Sequence, residues 1–503
     1  MRHRVYLSIA AFALTGASAF AQTGAIQIGE LDAAQDYSAG ILDAGSGGLD
    51  RNAWQGTSAK LATRLIEDLP QDISHPIAQA MVDAALLSGG VPPEGDATAM
   101  ERYTSARNAY LLATGQGSQL SALAARDPAL GRDARFQTDL ALSDGNTDSA
   151  CADSDGIIDG RSDAYWAKLR AFCHAIRKQV PAAELTAELL KKSGHDDPAF
   201  FELLTAINLE RPADNIAVQT PLHTAMLKAV GTASTETGLP GQLNDVIARL
   251  ATEDVNALLP AFSAIASAND LSPSYDVKSA STDSSPRGTA QLYVLTVDGR
   301  SPQAGSAFLS RMERAGQLRA AALHLSPLLQ TFPMDALVED DLSTFAKAAI
   351  VTNDIGLLMG LFQALPADSE DAIRLAVVTD ALGGGFRLTP LGDDLEGPLL
   401  AGEQDAERDV VIAMALGARM SDDATMALES ADLGTSKVGL STLLALSASA
   451  SDQSRAETAL RSAMLLEGDP DTYSLGQTIS ALQASGLDRF ARQVAAYDYA
   501  DRL

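Results

Sequence analysis

Between Asp163 and Ser193 the apolar residues return every three or four positions. Trp166, Leu169, Phe172, Cys173 and Ile176 recur at that step, with Lys168, Arg170, His174 and Arg177 between them. This is the period of an amphipathic α-helix with one buried face. Ser162 or Asp163 stands where a side chain caps the first free N–H groups, and Arg177 and Lys178 close the helix with positive charge. A second helix is predicted to open at Pro181, bury Leu185, Leu189 and Leu190, and stop at Gly194. A third, AFFELLTAINL, restarts after His195-Asp196-Asp197-Pro198. Short turns between successive helices predict antiparallel neighbours.

The same alternation of helix, turn and helix runs along most of the chain. A helix is predicted from Trp54 to Leu69, closed by Pro70, and another opens at Pro76 and ends at Gly89-Gly90. Further helices are predicted over residues 100–113, 128–142, 221–230, 243–250 and 255–268. Residues 269–287 are rich in Ser, Asp, Thr and Pro and read as a linker. Residues 289–297 contain QLYVLTV, whose β-branched content suits a strand. Ala290, Tyr293, Val294 and Val297 also share a helix face, and with no second strand nearby to pair with, the segment is assigned to a helix. Residues 386–400 read as a long connection, and helices resume from Arg408 to the final one over residues 487–499. The structural period is roughly 30–45 residues, the range of paired-helix arrays. The pattern therefore predicts an all-α solenoid of antiparallel helix pairs. An N-terminal helical-repeat region would span 51–268, the linker 269–287 and a C-terminal helical-repeat region 288–503.

Composition sharpens this picture. Aromatic residues are only 5% while Ala and Leu are abundant, which suits a core of small side chains and close helix approaches. Residues 1–21 read as a secretory signal peptide. Arg2, His3 and Arg4 form the basic start, Val5 to Leu14 a short apolar core, and Ala19-Phe20-Ala21 a cleavage site before Gln22. The apolar run is shorter than the roughly 20 residues a membrane span needs. No cysteine lies near that site to carry a lipid. Residues 22–50, rich in Gly, Asp and Ala, read as an irregular leader. The expectation is an exported, periplasmic protein cleaved after Ala21, with no insertion in the membrane once the signal is removed. Without residues 1–21 the chain has 35 basic and 65 acidic side chains, a net charge of −30. Such a surface repels nucleic acid and anionic membranes.

Cys151 and Cys173 are the only cysteines. In an exported chain the first expectation is a disulfide, tying the loop SACADSDGIIDGRSD to the helix of Trp166. The alternatives are two separate thiols, or a metal site with His174 and His195 whose spacing matches no zinc pattern. Asp153, Asp155 and Asp159 alternate around Gly156 as calcium ligands do, without the twelve-residue loop and terminal Glu of an EF-hand. No nucleophile elbow, P-loop or dinucleotide fingerprint is present. Gly434-Thr435-Ser436-Lys437-Val438-Gly439 is no nucleophile elbow, and Gly383-Gly384-Gly385 reads as a break. Thr344-Phe345-Ala346-Lys347 matches a Ser-x-x-Lys pattern only by chance, since threonine replaces the nucleophile. Glu188 and Glu202 lie on helices, but no spacing makes a catalytic pair of them. No catalytic, cofactor or metal residues are assigned, and no cofactor is expected.

Gly299-Arg300-Ser301-Pro302, residues 316–321 and residues 486–492 resemble the turn and second helix of degenerate tetratricopeptide repeats. Trp54-Gln55-Gly56-Thr57-Ser58, Ala150-Cys151, residues 166–173, residues 196–201 and Pro286-Arg287-Gly288 resemble segments of large exported helical-repeat proteins of proteobacteria, a group with no assigned function. The likeness covers much of residues 49–365. It implies a cell-envelope location and a solenoid, and it carries no catalytic residues across. The function expected is a non-enzymatic scaffold or adaptor that holds an envelope protein or peptide in a helical groove. The rivals are a cell-wall-turnover enzyme on a helical platform and a carrier of a small ligand or cation.

Overall fold

Many helices in this chain begin where a short polar side chain precedes an apolar run, although Asp163, where a cap was expected, makes no side-chain cap hydrogen bond. Ser58, Asp96, Asp197, Ser301, Asp354, Ser421 and Asp471 each accept a backbone N–H of the first turn that follows them. Pro76, Pro198 and Pro302 fill first positions, where no N–H is needed. Gly194, Gly316 and Gly486 take φ values of +84°, +69° and +77° and stop the helices before them.

The computed structural model describes residues 38–233 and 275–503, except 115, 128–129, 131–132, 144, 158–161, 212, 214–215, 217–219, 285, 334–336, 338, 367–368, 384–391, 404 and 432–435. The expected signal peptide, most of the leader and the helices expected over 243–250 and 255–268 lie outside the described residues. The described residues are all-helical. They form 24 helices and no strand, with two isolated bridges, Leu42 to Ser88 and Ser58 to Glu94.

Four groups follow in chain order. The first is α1 (Ala59–Glu67), α2 (Pro76–Leu87), α3 (Ala97–Ala113) and α4 (Gly117–Ala124). The second is α5 (Ala134–Ser143), α6 (Thr147–Gly156), α7 (Ala164–Ile176), α8 (Val180–Lys192), α9 (Pro198–Leu209) and α10 (Pro221–Ala233). The third is α11 (Val277–Thr282), α12 (Pro286–Val297), α13 (Pro302–Arg314), α14 (Leu318–Leu329), α15 (Glu339–Thr352), α16 (Ile355–Ala364) and α17 (Glu370–Gly383). The last is α18 (Gly392–Ala401), α19 (Ala406–Ala415), α20 (Asp422–Ser430), α21 (Leu440–Ser451), α22 (Arg455–Glu467), α23 (Thr472–Ala484) and α24 (Asp488–Asp501).

Several boundaries differ from the sequence reading. Trp54 lies in a turn, not in a helix, because Gly56 takes φ +79° and Ser58 caps the helix that starts at Ala59. The stretch around Cys151 is helical (α6) rather than a loop, started by the Asn146 cap. Residues 392–401 are helical through Pro398, where a connection was expected. Residues 286–297 form α12, so the ambiguous QLYVLTV segment is helix. Of residues 269–287, the described part holds α11, whose Ala280 is buried and whose Ala280 and Ser281 carbonyls accept from Arg311.

From α11 to α17 each helix packs on the next, and α11, α13, α15 and α17 also touch in turn. The end of the chain breaks that simple order. Helix α22 packs along α2, and α24 packs along both α15 and α17. Helix α22 buries residues on every side, among them Ala456, Thr458, Ala459, Leu460, Ser462 and Ala463. A helix covered all round belongs at the centre of a fold, and its small side chains let neighbours approach closely. Polar contacts fix the closure. Ala456 N donates to Ala53 O, Thr57 Oγ1 to Glu457 Oε2, and Ser74 N and His75 N to the Glu467 carboxylate. Arg455 pairs with Asp50. Residues some 400 positions apart thus form one layer of the core. Residues 142–230 build a second, separate core around Phe172, Phe200 and Leu203.

Candidate functional site

Several of the residues singled out in the sequence lie on the helices of the second core. Cys151 on α6 and Cys173 on α7 form a disulfide, with Cα atoms 5.7 Å apart and both residues buried. Asp153 and Asp155, two positions apart on a helix, do not share a face. Thr138 Oγ1 reaches Asp153, Arg177 pairs with Asp155, and Asp159 lies outside the described residues. Among the described residues no three of His, Cys, Asp and Glu come together to hold a metal ion. Glu202 is paired with Arg211 at the surface. Leu185 and Leu189 are exposed, at 60% and 57%, not buried as expected. Leu190 is buried as expected, together with Ala183.

Lys347 of the Thr344–Lys347 pattern is part of a structural hub. Its Nζ donates to Glu313 and Asp501, and Tyr497 Oη donates to Glu313 as well. Burial works to lower the Lys347 pKa, but the Asp501 hydrogen bond and the charges of Glu313 and Asp501 outweigh it. The amine is held as a cation above its ordinary range, the opposite of a general base. The Tyr497 ring lies 5.0 Å from that of His75, centroid to centroid.

The sites that stand out lie beside this hub, where the closure of the chain leaves two neighbouring cavities, two lobes that share wall residues. The first lobe, about 230 Å³, is walled by the loop of Ile41, Leu42, Ser46 and Gly47, by α2, by Val351–Asn353, and by Arg319 and Arg489. The second, about 500 Å³, is lined by Gln71, Asp72, Ser74, Gln79, Gln116 and Gln317. Asp83 and Gln119 belong to both walls. The loop is shaped by Asp43, whose Oδ1 accepts from Gly45 N, Ser46 N and Ser46 Oγ. These bonds hold the Asp43 carboxyl below its usual range. Gly47, at φ +94°, brings the backbone close to both arginines.

Arg319 and Arg489 each sit in the first turn of a helix, α14 and α24. A Cβ placed on Gly47 would lie 3.6 Å from Arg489 Nη1 and 3.8 Å from Arg319 Nη2, so the two guanidiniums converge on one point. Arg489 Nη2 donates to Gly47 O, and its guanidinium stacks on the Phe490 ring. Burial, and then the charge of Arg319, pull the Arg489 pKa down. Among the described residues neither arginine forms an ion pair within 4.0 Å. Asp83 at the lobe junction accepts from Gln79 Nε2 at 2.7 Å and Gln116 Nε2 at 3.0 Å. Burial pushes its carboxyl up, against those bonds and the charge of Arg319. The arrangement offers two cations and a row of amides to a ligand.

Sequence reasoning missed this cleft. Its walls come from residues 41–47, 71–87, 116–119, 314–319, 351–353 and 489–493, which no local spacing connects. The one local signal was Arg319 and Arg489, both within the segments read as repeat-like. Compared with protein-family models, curated proteins and solved structures, the chain finds no match in any of the three. No helix among the described residues is long and apolar enough to cross a membrane.

Proposed function

We propose that this protein is a non-enzymatic scaffold or adaptor of the cell envelope, exported by its first 21 residues, which holds a protein or peptide partner in the two-lobed cleft. The observation that carries the reading is the cleft itself, walled by six remote segments and offering both charge and amide groups. Its helices read as a solenoid of antiparallel pairs, most regular over α11–α17, closed by α22–α24. Arrays of helix pairs present concave surfaces to extended partners, and the Cys151–Cys173 disulfide is compatible with export. The test is in-cell crosslinking of the tagged protein in its native envelope, with identification of the captured chains. One partner recovered in near-stoichiometric yield supports the adaptor. Recovery of background proteins alone, at good expression, contradicts it.

A second reading, the wall-turnover enzyme, is favoured by one observation. Asp72 and Asp83 line the same lobe, and burial raises the Asp83 carboxyl. Acid–base hydrolysis of a glycan uses a carboxyl kept protonated by its surroundings together with a second carboxyl in the same site. Release of sugar fragments from purified peptidoglycan, abolished in Asp83→Asn, would favour it over the adaptor.

A further inference from the structure

The two lobes differ in what they lack. In the first lobe Arg319 and Arg489 bring two positive charges to Gly47 without a paired carboxylate among the described residues. Two guanidiniums held this close repel one another, and an anion between them removes the repulsion. Planar guanidinium forks match a carboxylate. In the second lobe the need is for donors. Gln116 is only 8% exposed, and its Oε1 is buried with no hydrogen-bond partner. Its Nε2 is committed to Asp83, which fixes which way the amide points. Gln317 Oε1 is likewise buried and unmatched. Buried acceptors left unmatched are destabilising, and an N–H donor of a ligand would relieve that.

An anion at one end and N–H donors further along are the features of a peptide at its carboxyl terminus. The acidic surface of the whole chain argues against a polyanion in the same place. We propose that the cleft binds the free carboxyl terminus of a peptide, with Arg319 and Arg489 on the carboxylate and the side-chain oxygens of Gln116 and Gln317 accepting from peptide N–H groups. Asp83 and Gln119, common to both walls, lie between the two sets of contacts. This proposal rests on the binding-protein reading and names the chemistry of the partner.

The experiment is native mass spectrometry of the purified protein with three probes. They are a mixed-sequence tetrapeptide library with free carboxyl termini, the same library amidated at that end, and inorganic phosphate. The free library binds, and amidation weakens it by at least about tenfold. The Arg319→Gln/Arg489→Gln variant lowers the free library to the amidated level and leaves amidated binding unchanged. Gln317→Leu weakens both libraries alike. Melting curves show whether each variant is folded, and Arg319→Gln alone, at an exposed position, serves if the double variant is not. Equal binding of the two libraries overturns the carboxylate site. So does occupancy by phosphate with no peptide binding. If peptides bind regardless of amidation, the binding-protein reading survives while this proposal fails. If the carboxylate preference holds but no partner is captured in cells, the adaptor alone is lost.

Discussion

His75 performs two tasks with one ring. Its Nδ1 accepts from Ile77 N and Ala78 N at the start of α2, and its face lies against Tyr497 of α24. Adding a proton would set an N–H against two N–H donors. Burial lowers the His75 pKa to about 4, against the charges of Glu467, Asp498 and Asp501. The unfolded histidine takes its proton near 6.5. Between those values the unfolded state binds more protons, so stability falls as pH falls from 6.5 to 4 and then levels. His324 behaves alike, its pKa also lowered to about 4 by burial. Together they should account for a loss on the order of 2–4 kcal/mol across that window. Asn at position 75 retains a cap acceptor and does not titrate. Melting temperatures from pH 7 to 4 should therefore fall less steeply in His75→Asn, by about half. An unchanged slope would remove His75 from the account. Lys347→Met should lower stability by about 2 kcal/mol, measured by urea unfolding, because Glu313 would be left beside Tyr497 without its cation. Neither role is visible in the sequence. Glu313 and Asp501 lie 34 and 154 residues from Lys347, and spacing arguments reach about one helical turn.

Individual helices were largely legible, because caps and apolar periods are local. The Asp197 cap before Pro198, the Gly194 stop and the helical reading of QLYVLTV all rest on adjacent residues. The buried face was read correctly on α7, through Trp166, Leu169, Phe172 and Cys173, and misread in part on α8. On α8 the leucines at 185 and 189 form a stripe as regular as a core stripe, yet of the three leucines expected inside only Leu190 is buried, with Ala183 beside it in the core. Periodicity gives the stripe, and only the neighbour decides its use. Leu185→Ser and Leu189→Ser should then change stability by less than about 0.5 kcal/mol each, as chemical denaturation would show. The disulfide works at the same scale. It joins α6 to α7 across 22 residues in a core of its own. Replacing both cysteines with alanine should cost about 3 kcal/mol. Hydrogen exchange should rise within residues 147–230 and stay unchanged in α22–α24. A uniform rise along the chain would mean that the two cores melt as one.

The arrangement of the whole molecule was the least legible level. The clearest helix pair in the sequence, α7 and α8, lies in the smaller core. The centre is instead α22, whose run of Ala, Thr and Ser carries a weak apolar signal. That weakness and its central place have one cause, since small side chains are what close packing against α2 requires. In an open solenoid each repeat leans only on its neighbours, and removing the last helix loosens the end alone. Here α24 packs on α15 and α17, carries Tyr497 and Asp501 to the central hub, and supplies Arg489 to the cleft. The direct test is hydrogen–deuterium exchange of a variant lacking residues 488–503. Closure predicts that protection is lost in α2, α15 and α17 together, all remote in sequence from the deletion. Protection retained in α2 and α15, with loss confined to α23 and its neighbours, would contradict it.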